Sequence, residues 1–155
     1  MKLKNTLLCV HDMEKSKAFY KQVLGLHVTA DFGANVTLTG GLCLQTLDSW
    51  KGFIEKKDKD IHFAHNTGEI YFEVKDLDHF MEKLDAFDDI ELVHPVKVHD
   101  WGQRVVRFYD PDGHIIEVGE DLRCVMKRFL KNGMSVEKTA KRMGLPVALV
   151  KRMAK

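Results

Sequence analysis

One short pattern occurs twice in this 155-residue chain, and it limits the available folds more than any other feature. Leu7-Leu8-Cys9-Val10-His11-Asp12-Met13-Glu14 is an apolar run that ends in an aspartate and a helix start. Ile70-Tyr71-Phe72-Glu73-Val74-Lys75-Asp76-Leu77-Asp78 repeats it, and both copies read Val-x-Asp-(Met/Leu)-acid. Self-similarity at this spacing implies a fold assembled from duplicated units. Asp12 and Asp76 suit the N-cap, where a carboxylate accepts from free backbone N–H groups.

The elements that follow each cap also correspond. Phe19, Tyr20, Val23 and Leu24 give apolar helical spacing over about Met13 to Leu24, stopped by Gly25. Phe80, Met81, Leu84 and Phe87 do the same over about Leu77 to Phe87. Three extended segments follow each helix. The first copy has Leu26–Phe32, Asn35–Thr39 and Leu42–Leu47, and the second has Val93–His99, Arg104–Tyr109 and Ile115–Val118. Gly33, Gly40-Gly41 and Asp110-Pro111-Asp112-Gly113 supply turn chemistry between them. The expectation is an α+β domain over residues 1–120, built as β-α-β-β-β twice. The modules cover about 1–50 and 66–120, with a connector at 51–65 inside the polar stretch from Ser49 to Gly68. That connector reads as a solvated linker, with a lid as the alternative.

Residues 121–155 differ in character. They hold ten Lys and Arg against two acids, 10 − 2 = +8, which leaves 14 − 21 = −7 for the rest. Three helices are predicted there, about Leu122–Lys131, Ser135–Met143 and Pro146–Ala154. Gly133 and Gly144 act as stops and Pro146 sits in a first turn. Ser135 starts its helix as a cap without the reciprocal acid of a capping box. Ser135 to Val150 is similar to a helix-turn-helix segment, with Ala140 and Gly144 at the tight crossing. Docking through Met126, Phe129, Leu130 and Val150 is the preferred reading of this basic helical extension, and binding to nucleic acid the less favoured one.

The remaining bulk features exclude several classes. Hydrophobic content of 45% and charged content of 30% are those of an ordinary folded protein. No apolar run approaches the roughly 20 residues of a membrane span, and the first residues lack a signal-peptide core. Cys9, Cys43 and Cys124 are odd in number and lack metal spacing, so free thiols and a cytoplasmic location are expected. Phosphate-loop, His-Glu-x-x-His and Gly-x-Ser-x-Gly motifs are absent. His62 and His65 lie in the polar connector, while His11, His94 and His114 stand beside turns or a proline; all five read as structural or surface residues.

Two stretches carry a likeness to a known family. They are Val10-x-Asp12-Met13-Glu14-x-Ser16-x-x-Phe19-Tyr20 running into Val23-Leu24-Gly25-Leu26, and Phe108-Tyr109-Asp110-Pro111-Asp112-Gly113-His114-x-x-Glu117 preceded by Trp101-Gly102. The chain resembles the glyoxalase / bleomycin-resistance / extradiol-dioxygenase superfamily, the vicinal oxygen chelate fold, over about residues 1 to 120. The resemblance implies a mixed sheet curled around a cleft, frequently in a homodimer, with a small-molecule ligand. It also implies four metal-ligand positions, which fall on Asn5, Gln45, Glu69 and Glu117. Only Glu117 keeps the usual residue type.

Strand alternation supports part of that set. Glu69, Tyr71 and Glu73 share one face and Ile70, Phe72 and Val74 the other, so Glu69 should face the cleft, and Glu117 likewise. Two carboxylates in one enclosed space need compensation. A cation held by Gln45, Glu69, Glu117 and Asn5 is one solution, and an all-oxygen set suits Mg²⁺ or Mn²⁺ better than Zn²⁺. A shared proton is a second. Arg107, paired to both acids in place of a metal, is the third. Trp50 and Trp101 are candidate ligand-cleft walls. Three functions stay open: a metal-free small-molecule binder, which is preferred; a divalent-metal-dependent lyase of the glyoxalase type, with Glu117 as ligand and Glu69 as ligand or base; and a ligand-sensing regulator whose tail meets DNA.

Overall fold

The duplication is present in the backbone of the computed structural model, which describes residues 1–153. The first copy runs β1 (Thr6–Val10), α1 (Met13–Gln22), β2 (Val28–Asp31), β3 (Asn35–Leu38), β4 (Leu42–Thr46) and α2 (Leu47–Ile54). The second runs β5 (Glu69–Val74), α3 (Leu77–Leu84), β6 (Leu92–Val98), β7 (Arg104–Tyr109) and β8 (Ile115–Glu120). Helices α4 (Leu122–Lys131), α5 (Val136–Met143) and α6 (Val147–Met153) complete the described chain. Each copy makes an open four-stranded mixed sheet, ordered β1-β4-β3-β2 and β5-β8-β7-β6, in which the first and last strands pair in parallel. The chain divides into two compact units. Residues 1–67 with the turn 110–114 form one, and residues 68–109 with those from 115 onward form the other.

Both repeated aspartates cap their helices. Asp12 accepts from Lys15 N–H at 2.9 Å and Asp76 from His79 N–H at 3.0 Å. In the first unit Val10, Tyr20, Val36, Leu38 and Leu44 are fully or almost fully buried, so the apolar face of the sheet packs under α1. In the second, Leu77, Phe80 and Leu84 recur at helical spacing and are buried, and the Phe80 ring stacks at 6.2 Å on that of Phe108 in β7.

The Asp-Pro-Asp-Gly-His turn is a clamp within the first unit. Asp110 Oδ1 accepts from the Asp112 and His114 N–H groups at 2.9 and 2.8 Å, and Oδ2 accepts from Tyr20 O–H at 2.7 Å and His114 Nδ1 at 2.9 Å. Asp112 Oδ1 accepts from the His11 backbone N–H at 2.9 Å and from its Nδ1 at 2.7 Å, while Oδ2 accepts from Ser16 at 3.2 Å. Burial works against the Asp110 carboxylate, but His114 and Tyr20 outweigh it and hold the acid below the ordinary range. Gly113, at φ +81°, has no room for a side chain, since a Cβ there would lie 2.8 Å from that of Ala64. His11 and His114 thus have structural partners.

In the second unit Glu120, 5% exposed, fastens the C-terminal helices. It accepts from Arg104 N–H and Nε at 3.0 Å each, and from Arg128 Nη1 and Nη2 at 2.5 and 3.0 Å. Arg128 also donates to the Gly102 carbonyl at 2.7 Å, and Phe129 covers Gly102 where any side chain would collide with its ring. Arg142 lies 4.6 Å over the Phe129 ring and donates to the Asp100 carbonyl at 3.3 Å. Met126, Ala140 and Val150 form the core shared by α4, α5 and α6.

The sequence-based boundaries shift in places. Helix α1 ends at Gln22, capped by Val23, and α3 ends at Leu84 instead of Phe87, while β8 continues to Glu120. The stretch read as beginning a linker opens with α2, whose Leu47, Trp50 and Ile54 give one short apolar stripe. Ser135 does cap α5, accepting from Lys138 N–H at 3.2 Å. The predicted end of the last helix at Ala154 lies outside the described residues.

Two outcomes test this packing. Tyr20→Phe removes a donor from a buried carboxylate and should cost about 1.5–3 kcal/mol in urea unfolding; no change in the midpoint would show that Asp110 is satisfied without it. Glu120 loses stability from burial, but the hydrogen bonds from Arg128 and Arg104 outweigh this and hold its acid at about 2. A depressed carboxyl pKa gives stability that is complete above the unfolded value and disappears as pH falls through the folded one. Stability should therefore decline between about pH 4.5 and 2, and Glu120→Gln should flatten that decline while lowering stability at pH 7.

Candidate functional site

The open face of each sheet carries a polar pair placed by the last hairpin of its module. In the first, Asn35 and Gln45 stand directly opposite across β3 and β4; in the second, Arg107 and Glu117 stand directly opposite across β7 and β8. One pair is neutral and the other charged, and they lie two residues apart along the repeat.

In the second unit Arg107 binds two carboxylates. Its Nε donates to Glu69 Oε2 at 2.8 Å, and its Nη2 pairs with Glu117, whose side chain is 8% exposed. Nη1 donates to His94 Nε2 at 3.3 Å, while His94 Nδ1 donates to the Pro95 carbonyl at 2.7 Å. A guanidinium offers five donors in one plane, so it can hydrogen-bond Glu69 and Glu117 together and still reach His94, leaving the triad with one net negative charge. Beside it, Trp101 Nε1 donates to Gln103 Oε1 at 3.0 Å, and Gln103 Nε2 donates to Tyr71 Oη at 2.7 Å and to the Glu120 carbonyl at 2.8 Å. Tyr71 O–H donates to Glu73 at 2.9 Å. Gln103 fits this place because Gly119 below it has no side chain; a Cβ there would lie 2.8 Å from Gln103 Nε2. His99 stacks on Trp101 at 4.1 Å. This face therefore offers the exposed rings of Tyr71 and Trp101 beside a fixed charged triad.

The first unit's counterpart is locked. Gln45, 2% exposed, accepts from Asn35 Nδ2 at 2.6 Å and donates from Nε2 to Ser49 Oγ at 2.5 Å. Ser49 lies in the first turn of α2 and is itself held by Thr46 Oγ1 at 2.7 Å. Trp50 follows it, half-buried in α2. Asn5 is exposed, precedes β1 and reaches only the Gly41 carbonyl at 3.4 Å. In the parallel register the residue opposite Gln45 is Cys9. Asn5 lies four residues before it, about 13 Å at the rise of a strand. Asn5 and Gln45 therefore do not converge. Glu69 is two residues from Tyr71, which stands opposite Glu117, and Arg107 closes that gap. Burial and Asp112 push the Cys9 thiol up to about 11, with Lys51 opposing, so it stays protonated at neutral pH and is no nucleophile.

The metal that the fold family implies does not suit these side chains. Glu69 and Glu117 are paired to a guanidinium, the Gln45 amide oxygen is occupied by Asn35, and Asn5 stands apart. Among the described residues no group of three or more His, Cys, Asp and Glu is arranged to hold a metal ion. Asn35, His94, Gln103 and Tyr71 were not in the sequence-based set. Tyr71 is legible from strand alternation; Asn35, His94 and Gln103 need the register.

A glyoxalase-like domain model matches residues 3–123. A protein of unknown function from Agrobacterium tumefaciens str. C58 is 37% identical over 78% of this chain and 94% of its own, with TM-score 0.69. A lactoylglutathione lyase from Agrobacterium tumefaciens is 26% identical over 78% and 94%, with TM-score 0.57. A glyoxalase-related enzyme from Fulvimarina pelagi is 19% identical over 78% and 88%, TM-score 0.66, a likeness of fold. No curated protein matches the chain.

Gly119→Ala should displace Gln103 and cost about 1–3 kcal/mol, because its buried hydrogen bond to the Glu120 carbonyl and its half-buried one to Tyr71 break together. In a Trp50→Phe background the emission of Trp101 should shift; unaltered emission would mean that the Trp101–Gln103–Tyr71 chain does not depend on Gly119.

Proposed function

The chain belongs to the glyoxalase-like domain family, and on that premise we propose that it binds a small, partly apolar molecule without a divalent metal. The observation that carries this reading is Arg107, seated between Glu69 and Glu117. A metal in that position would have to displace a guanidinium from two carboxylates, one of them buried, and leave the arginine without a carboxylate partner. With Arg107 in place each carboxylate already has a charged partner, and the triad acts as fixed polar recognition. Tyr71 and Trp101 provide the apolar walls, and Gln103 fixes the orientation of both.

A second reading is a divalent-metal-dependent lyase of the glyoxalase type, supported by the likeness to the Agrobacterium lactoylglutathione lyase. It requires Arg107 to swing away, leaving Glu117 as ligand and Glu69 as ligand or base; Mg²⁺ or Mn²⁺ would suit those oxygens better than Zn²⁺.

The two readings separate in melting curves of chelator-stripped protein. Mg²⁺, Mn²⁺, Ni²⁺ and Zn²⁺ are expected to leave the Tm unchanged. A library of small aromatic amides and carboxylates, screened in chelator, is expected to yield saturable stabilisation that Tyr71→Ala weakens at least tenfold. A saturable rise with a cation, abolished by Glu117→Gln, would reject the metal-free reading in favour of the lyase.

A further inference from the structure

The matched domain ends at residue 123, and the helices beyond it carry cations that the fold does not use. Residues 121–155 have a net charge of +8, from ten Lys and Arg and two acids. Among the described residues, Arg128 pairs with Glu120, Lys151 lies 3.9 Å from Glu137, and Arg142 is held by Asp100 and Phe129. Arg123, Lys127, Lys131, Lys138, Lys141 and Arg152 have no carboxylate partner there. Docking therefore consumes one face of the extension and leaves another charged.

Those cations are organised. Arg123, Lys127 and Lys131 recur every fourth residue, a single stripe along α4 opposite in role to Arg128. Arg123 and Lys127 converge with Arg152 of α6 on a cavity of about 310 Å³ whose remaining lining is Leu149 and Met153. Helices α5 and α6 are joined by Gly144-Leu145-Pro146, with Gly144 at φ +65° and Leu145 N–H bonded to the Ala140 carbonyl at 2.9 Å. Ala140 is 2% exposed and Val150 is fully buried. This is the tight, glycine-containing turn of a helix-turn-helix, with α4 as the third helix of the bundle.

The occupant follows from charge and from what is missing. An anionic membrane would need an apolar helix face to insert, but Met126, Ala140 and Val150 are spent in the bundle core. An acidic protein would need an apolar centre, and Val147 is the one large apolar residue from 121 to 153 that is exposed. A polyanion with regularly spaced charges meets what remains. We propose that the C-terminal helices bind duplex DNA, with Arg123, Lys127 and Arg152 gripping backbone phosphates and α6 facing the major groove. This proposal is independent of the ligand site on the β5–β8 sheet.

Fluorescence anisotropy of a labelled 25-base-pair duplex with the full chain tests it. Three phosphate contacts give a slope near −2.7 in log affinity against log salt, roughly a 40-fold loss between 50 and 200 mM. The expected result is saturable binding with that slope, weakened at least 30-fold in the Arg123→Glu/Lys127→Glu/Arg152→Glu variant with its melting temperature unchanged. Should that variant fail to fold, Arg123→Gln and Arg152→Gln singly should each weaken binding several-fold and lower the slope by about one. Lys56→Glu/Lys59→Glu, in the first unit, should bind as the parent does. Absence of binding at 50 mM salt, binding retained by the charge-reversed variants, or equal affinity for duplex RNA, heparin or anionic vesicles would overturn the proposal.

Discussion

A carboxylate taken out of water must meet a positive charge or several hydrogen-bond donors, or it will not stay ionised. Among the described residues the four buried acids, Asp110, Asp112, Glu117 and Glu120, all lie within one turn and the strand that follows it. Each has its own set of partners, and each set fixes a different part of the molecule. Asp110 and Asp112 draw Tyr20, Ser16, His11 and His114 around the turn in the first unit. Glu117 holds Arg107 on the open face of the second sheet, and Glu120 holds Arg104 and Arg128, so that α4 lies against that unit. A run of eleven residues, 110–120, thus sets a turn, a candidate site and the seat of the C-terminal helices.

Much of this was legible in the sequence because it rests on local rules. The two aspartate caps, the strand alternation around Glu69 and the Asp-Pro-Asp-Gly turn each follow from backbone geometry within a few residues. Helix α2 was hidden for a physical reason. Its apolar stripe is only Leu47, Trp50 and Ile54, followed at once by the charged run from Glu55 to Asp60, so the window around it reads as polar. Asn5 failed to join Gln45 for another. The resemblance places Asn5 by motif spacing, and spacing does not carry the axial register of β1 against β4, which the parallel pairing decides. Local signals specify which way a residue points; pairing specifies what it meets.

Arg107 shows the same division. On the sequence alone it was one of three ways to compensate the two acids, beside a metal and a shared proton. Register makes the choice, because Arg107 and Glu117 are direct cross-strand partners, while the matching place in the other module is held by Thr37 and Cys43. The two copies differ at that place: a hydroxyl–thiol pair in the first and an ion pair in the second. The C-terminal helices extend this logic: their apolar faces are spent internally, one arginine is spent on Glu120, and the surplus charge faces outward.

The central claim is that Arg107 does the work of a cation for Glu117. A double-mutant cycle measures this most directly, with urea unfolding of the parent, Arg107→Met, Glu117→Gln and the double variant in chelator at pH 7. The expected result is a favourable coupling of about 1–3 kcal/mol, the double variant being far less damaged than the two single losses added together. Additivity within about 0.5 kcal/mol would contradict it, and would mean that the two charges are satisfied by something other than each other.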